Sequence, residues 1–360
     1  MAAWRHPSGH APPTERAWPM QNCADARAGA DQMTDPWPAG FRRVPDDDWV
    51  ARPPETLALT YDTVQDHGWY RNLDPTIARL AEQLRGGDIL LDYSGGTGIL
   101  AERLLAALPG AEIAILIVDA SPKFLRVALD KLGADERVGY RLIRYLKDER
   151  RLQTVQEVVE APLLERGVDA ISSTNAIHLY YDLEDTLRSW RKVLRPNARA
   201  FVQSGNIGVP ELPPGSWIID ETVEAINAAA EEIVRADERY ATYRDALDDD
   251  ARSAAYEELR GKFFLPVRPL AHYVDALEEA GFRVARIDHR SIAADIAEWT
   301  AFLSAYHEGV LGWVGGSERI EGRPPTEQDV AGRLRLLRES VDRVFRGSSF
   351  DAVWTYIEAD

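Results

Sequence analysis

The first stretch of the chain carries no hydrophobic period. Residues 1–45 mix Ala, Pro, Gly and polar residues, a composition that buries too little apolar surface to offset the entropy of ordering. A disordered or extended arm is expected there, with Trp4, Trp18 and Trp37 as its adhesive points. From residue 57 to 70 apolar and aromatic side chains return at helical spacing. Asp74 as a cap, Pro75 at the first position and Ile77, Leu80, Ala81 and Leu84 on one face predict the next helix. Short apolar runs then alternate with helical stretches. Strands are predicted over 89–91, 114–119 and 140–146, in the run opening at Gly167, and over 198–203. Between them lie helices over 99–108, from Pro122 to residue 132, over 154–164, and from Asp182 to residue 194 with Asp185 as the reciprocal partner of the cap. This repetition predicts a parallel sheet with right-handed crossovers and helices on both faces.

Beyond residue 205 the pattern changes. Residues 206–267 read as an insertion of two or three helices, rich in Ala, Glu and Asp. A helix over 270–280, ended by Gly281, and a strand over 282–288 resume the alternation. Residues 292–347 form a second helical insertion, where Thr326 caps a helix with Val330, Leu334, Leu337, Val341 and Val344 on one face. A last strand follows over 350–357. The expected division is an arm (1–45), a core (46–205), a helical cap (206–267), the core continued (268–291), a second insertion (292–347) and a final strand (348–360). The two insertions are expected to form one cap over the ligand.

The chemistry concentrates at the end of the first strand, in Asp92-Tyr-Ser94-Gly95-Gly96-Thr-Gly98. Glycines there permit a tight turn and close approach of a ligand to the backbone, and the following helix points its amide-rich N-terminus at the turn. The next strand ends in Asp119, an acid placed to accept hydrogen bonds from ribose hydroxyls. Gly96-x-Gly98-x-x-Ala101 also matches the dinucleotide fingerprint, with Asp119 21 residues beyond Gly98, near the ~20 expected. Asp92 weighs against a dinucleotide, because a carboxylate before the turn repels a pyrophosphate and attracts a cationic amino-acid moiety.

These residues resemble the first motif of the class I, Rossmann-like S-adenosylmethionine (SAM)-dependent methyltransferases, an acid followed by glycines at alternate positions. Ser94 stands where the first glycine is usual. Asp119-Ala120-Ser-Pro-Lys-Phe resembles the second motif, and Asn175-Ala-Ile-His178, a capped helix and Leu194-Arg-Pro-Asn197 resemble the family's later form, with Asn197 in place of glycine. The resemblance covers residues 57–205, 268–290 and 350–358. It implies an α/β fold, a seven-stranded, mostly parallel, doubly wound sheet with an antiparallel last strand. It also implies SAM as cofactor, held by Tyr61, Asp92, Ser94, Gly95, Gly96, Gly98, Asp119, Ala120, Asp148 and Asn175. Tyr61 is the candidate to close over the cofactor, and Asp148 the candidate partner of the adenine amine.

Methyl transfer from a sulfonium is an in-line displacement that needs proximity and exclusion of water. A base is required only if the acceptor keeps its proton. His178 is the first candidate for that base; His272 with Tyr273 and His307 with Tyr306 are alternates. No metal constellation is visible, since His6 and His10 are separated by Pro7 and Gly9. The aromatic insertions suit a small, apolar or aromatic acceptor whose O, N or C atom is methylated.

Composition narrows the partners. A net charge of −17 argues against nucleic acid, which is bound through clustered Lys and Arg. The single cysteine, Cys23, excludes a disulfide framework and suits the cytoplasm. No apolar run reaches the ~18 residues of a membrane span. A homodimer through the arm or the insertions stays open. Two other functional readings stand beside methyl transfer: an NAD(P)-dependent oxidoreductase and a non-catalytic, methyltransferase-like binding protein.

Overall fold

The structure is a computed structural model that describes residues 36–360. Trp4, Trp18, His6, His10 and Cys23 lie outside the described residues. Trp37 lies inside them: it is buried, stacks on Phe41 at 4.5 Å, and donates from its indole to the Glu136 carbonyl.

Seven strands make the sheet: β1 (Ile89–Tyr93), β2 (Ala114–Asp119), β3 (Val138–Leu142), β4 (Val168–Thr174), β5 (Leu194–Ser204), β6 (Val284–Asp295) and β7 (Ser349–Ala359). Their order is β3-β2-β1-β4-β5-β7-β6, with a two-residue strand, Ser216–Trp217, added beside β7. All neighbours from β3 to β5 pair in parallel, whereas β7 runs antiparallel to both β5 and β6. The crossover between β3 and β4 places the switch point beside β1, where the carboxyl ends of β1, β2 and β4 open a crevice.

Alternation along the strands divides the core between two faces. Leu90, Ile115 and Ile117 join one apolar cluster, together with helices Asp74–Gln83, Ile99–Ala107 and Pro122–Leu132. Ile89, Leu91, Leu116 and Val118 face the other, with helices Leu183–Val193 and Leu270–Glu279. Each such side chain is fully buried, stabilising the sheet by roughly 1.5–3 kcal/mol.

Both insertions lie on the first of these faces. Helices Glu221–Ala236 and Glu327–Val344 contribute Val223, Ile226, Leu336 and Leu337 to one cluster with Trp299, Leu303 and Trp313. Thr326 caps its helix as expected, in a capping box with Asp329. The insertions thus pack as a unit.

Several boundaries differ from the sequence reading. Strand β6 runs seven residues past 288, to Asp295, because it pairs with β7 along its whole length. The second insertion therefore begins at Ile296. The helix expected over 154–164 is two, Val155–Val158 and Ala161–Arg166, with Pro162 starting the second because it lacks an N–H for the first. The stretch 57–70 is one α-helix, Thr56–Asp62, followed by 3-10 turns. Neither Asp74 nor Asp182 makes a side-chain cap: the first is itself helical, and the second offers only its backbone carbonyl, to Thr186.

Candidate active site

The glycine turn leaves β1 with Ser94 and Gly96 in left-handed backbone, at φ 58° and 57°. Gly98, at φ 78°, starts helix Ile99–Ala107, and a Cβ there would sit 3.0 Å from Leu132. Only glycine allows the helix to approach so closely. Asp119 holds the turn from β2: its carboxylate accepts from the Gly96 amide at 2.9 Å and from the Ser121 amide at 2.7 Å. Burial raises its pKa to about 6, against the pull of those amides.

Asp92 lies beneath the turn and not on its open side. It is fully buried, and one oxygen accepts from the Ser172 hydroxyl at 2.9 Å. The other has no partner and faces Gly95, where a Cβ would lie 2.6 Å away. Burial, reinforced by the charge of Asp119, raises Asp92 to about 7 against the Ser172 hydrogen bond.

A cleft of about 1260 Å³ opens above these groups. Of the expected cofactor residues, Tyr61, Ser94, Gly96, Asp119, Ala120 and Asn175 line it together. Tyr61 stacks on Phe124 at 4.9 Å across the rim, and its hydroxyl is raised well above the usual phenol range by Tyr70 and by burial. Asn175, left-handed at φ 54°, closes β4 by donating its amide to Gln203. Its side-chain oxygen accepts from Asn72 and Trp354, both at 3.2 Å, leaving the amide nitrogen without a partner.

The remaining expected residues fall elsewhere. Gly95 and Gly98 shape the turn from behind. Asp148 sits at the exposed tip of a hairpin formed by Tyr145–Leu146 and Arg151–Leu152, and is not on the wall. Sequence reading extended the third strand through 146, but β3 ends at Leu142; the hairpin keeps Tyr145, Arg150 and Arg151 on the wall and turns Asp148 off it at the tip. His178 is also off the wall, with Nδ1 bonded to the Ser204 hydroxyl at 2.9 Å. Burial lowers it to about 4, so it is neutral near pH 7. His272 pairs with Arg268 and His307 with Arg333. Neither lines the cleft, and no residue of either insertion does. The second insertion packs behind the wall: Trp299 and Phe302 meet Trp69 edge-on, and Trp69 stacks on Trp354, which donates to Asn175.

The wall includes residues that sequence reading missed. Phe124, five positions past Asp119, is set by the Ser121 cap that accepts its amide. Leu179, Tyr180 and Tyr181 follow β4, and the apolar run Ile177 to Tyr181, too long for a solvated turn, was the available signal. Leu179, Tyr181 and Tyr145 are three of the five exposed large apolar side chains among the described residues.

The strand order and the glycine turn define a class: the Rossmann-like α/β folds that hold a nucleoside at the first switch point, here with the antiparallel β7 that dehydrogenase sheets lack. Residues 91–200 match the family model for a methyltransferase domain. That match covers the glycine turn, Asp119 and Asn175, the stretch whose motifs resemble the class I methyltransferases.

Among curated relatives, the ubiquinone/menaquinone biosynthesis C-methyltransferase UbiE of Coxiella burnetii is 27% identical over 191 residues, covering 50% of this chain and 69% of the relative. The protein of the same name from Caulobacter sp. is 28% identical over 156 residues, covering 40% and 56%. Among solved structures, phosphoethanolamine N-methyltransferase 2 of Haemonchus contortus, in complex with S-adenosyl-L-methionine, aligns at a TM-score of 0.43 and 15% identity, covering 87% of this chain and 59% of that one. A SAM-dependent methyltransferase of Geobacter sulfurreducens, in complex with S-adenosyl-L-homocysteine, aligns at 0.42 and 14%, covering 81% and 90%. No helix among the described residues is long and apolar enough to cross a membrane.

Proposed function

We propose that the chain binds SAM in this cleft and transfers its methyl group to an O, N or C nucleophile of a small, apolar or aromatic acceptor. The carrying observation is the convergence, around the carboxyl ends of β1, β2 and β4, of a glycine turn, the Asp119 carboxylate and exposed apolar side chains. The residues present fit the cofactor. Each Asp119 oxygen keeps a lone pair beyond the amide it accepts, for ribose hydroxyls. Asp92 and Asp119 are two raised carboxylates that a cationic ligand stabilises in ionised form. Gly96 presents bare backbone, with only Phe124 near its absent Cβ, at 3.9 Å.

Bound SAM supplies an electrophilic methyl on a positively charged sulfur. The protein's part is to orient and to exclude water. Tyr61 and Phe124 cover the rim, and Asn175, pinned by Asn72 and Trp354, fixes the exit of β4. Leu179, Tyr181 and Tyr145 supply apolar surface for the acceptor. Among the described residues no histidine lines the cleft, which favours an acceptor that arrives with its lone pair or carbanion already available. The relatives named for C-methylation add weight to carbon. The acidity of the chain supports a small molecule over nucleic acid, and its single cysteine supports the cytoplasm as its compartment.

Calorimetric titration with SAM and, separately, with NAD(P) tests the first half of this reading. Saturable SAM binding and none of the nicotinamide cofactors is expected; the reverse would overturn it. Methyl transfer from labelled SAM to a panel of phenols, quinols and aromatic amines tests the second half. A protein that binds SAM but methylates no member of a broad panel would favour a non-catalytic binding role.

A further inference from the structure

The turn departs from glycine at Ser94, and that residue is tied into a chain of hydroxyls. Its left-handed backbone, at φ 58°, strains any residue with a Cβ. The Tyr180 hydroxyl donates to Ser94 Oγ at 3.0 Å, and Ser173 Oγ lies 2.8 Å from the same phenol oxygen. A phenol has one proton to give. With that proton on Ser94, Ser173 is the donor to Tyr180, and the chain runs from Ser173 through Tyr180 to Ser94. Its free end is the Ser94 proton. Ser94 and Tyr180 both line the cleft, and the Tyr180 ring is held edge-on to Tyr93 and Trp190.

We propose that Ser94 recognises the α-carboxylate of the cofactor's methionine moiety by donating this proton, and that Tyr180 is its positioning residue. The inference rests on the reading of the cleft as a SAM site. Asp92 below the turn and Asp119 beside it favour the cationic groups of that moiety and repel its carboxylate. A carboxylate placed there needs a donor. A glycine at 94 offers no side-chain donor, whereas a serine at the end of a hydroxyl chain is polarised by the bonds behind it. The same chain joins the turn to the segment that carries Leu179 and Tyr181.

The test uses the full chain and calorimetry with two ligands, SAM and decarboxylated SAM, which lacks only the α-carboxylate. Ser94→Gly suits the left-handed backbone and so preserves the fold; Tyr180→Phe keeps the ring. Each single variant is expected to weaken SAM about three- to tenfold, the range of one hydrogen bond. The double variant should bind SAM about as weakly as Ser94→Gly alone, and all three should bind decarboxylated SAM like the parent. Equal weakening toward both ligands overturns the proposal, because the chain then only shapes the turn. Losses that add fully in the double variant overturn Tyr180's role. Should the parent bind neither ligand, the reading of the cleft itself fails, a result distinct from equal losses on two ligands that both bind.

Discussion

The helical insertions and the cleft handle buried polar groups in opposite ways. In the insertions, the fully buried Arg333 donates to the carbonyls of Gly312, Val314 and Gly316 and meets His307 at 3.0 Å. Trp313 donates to Asn227 and Trp299 to Thr222; the Tyr240 hydroxyl and the Asn206 side-chain oxygen are exceptions, without partners. Around the cleft, an oxygen of Asp92 and the amide nitrogen of Asn175 are buried without partners, and both Ser94 and Asn175 hold left-handed backbone. Unpaired polar atoms and strained backbone are costly in a folded chain, and they gather where a ligand can repay the cost. The insertions are built for stability, the cleft for occupancy.

The largest expected effect breaks the insertion side of this contrast. Arg333→Leu leaves three buried carbonyls unpaired and should lower stability by about 3 kcal/mol or more, read as a fall in the urea midpoint. SAM affinity of the folded variant should stay at the parent's value; a parallel loss of affinity would show that the two regions are coupled. Next, Asp119→Asn should weaken SAM by about 1.5–3 kcal/mol, the worth of one charge-assisted hydrogen bond, with a smaller fall in the urea midpoint because asparagine keeps only one of the two oxygens that accept the Gly96 and Ser121 amides. Unchanged affinity would remove Asp119 from the ribose site.

The pH dependence is smaller and has a definite sign. Asp92 and Asp119 are raised in the folded protein to about 7 and about 6. Their contribution to folding is therefore complete below the ordinary carboxylate range, near 4, and is lost as pH rises through 6 to 7. A cationic ligand favours the ionised forms and has the opposite dependence. SAM affinity should climb by up to about tenfold (1.4 kcal/mol) per pH unit for each carboxylate below its pKa, and level off above about 7. Protons should be released on binding at pH 6, which calorimetry in buffers of different ionisation enthalpy measures. Flat affinity from pH 5 to 8 would mean that neither carboxylate is coupled to the cation's charge. The smallest effect sharpens the edge of the site: Asp148→Ala should change SAM affinity by less than ~0.5 kcal/mol, as for an exposed side chain with no special contact. A loss near tenfold would place the hairpin tip over the adenine.

The core was legible because its signals are local. Short apolar runs and glycine punctuation marked β1, β2 and β4, and the antiparallel β7 came with the family resemblance. The ligand turn was equally plain, since Gly96, Gly98 and Asp119 act through backbone geometry that short-range sequence encodes. What could not be read depended on tertiary pairing. The extension of β6 to Asp295 exists only because β7 lies beside it. The displacement of Asp148 follows from the hairpin after Leu142, and the burial of Asp92 from Ser172 on a strand 80 residues away. The cap expected over the cofactor puts no residue on the cleft wall, for a related reason. Helical periodicity shows that the insertions pack, but not which face of the sheet they pack on.

The β6–β7 ribbon has a consequence for how such a chain can change over generations. Asp295 and Ser349 stand opposite each other in register, and the Ile296 amide bonds back to the Ser348 carbonyl at 2.9 Å. The whole of residues 296–348 thus departs and returns at adjacent points of one ladder. Loop tips that enter and leave a domain at neighbouring positions are where foreign segments are tolerated. A tight turn joining the two strands would close the same ribbon. The second insertion is in this sense a graft on a hairpin, free to be lengthened, exchanged or lost while the glycine turn of β1, at the far side of β4, β5 and β7, keeps its place.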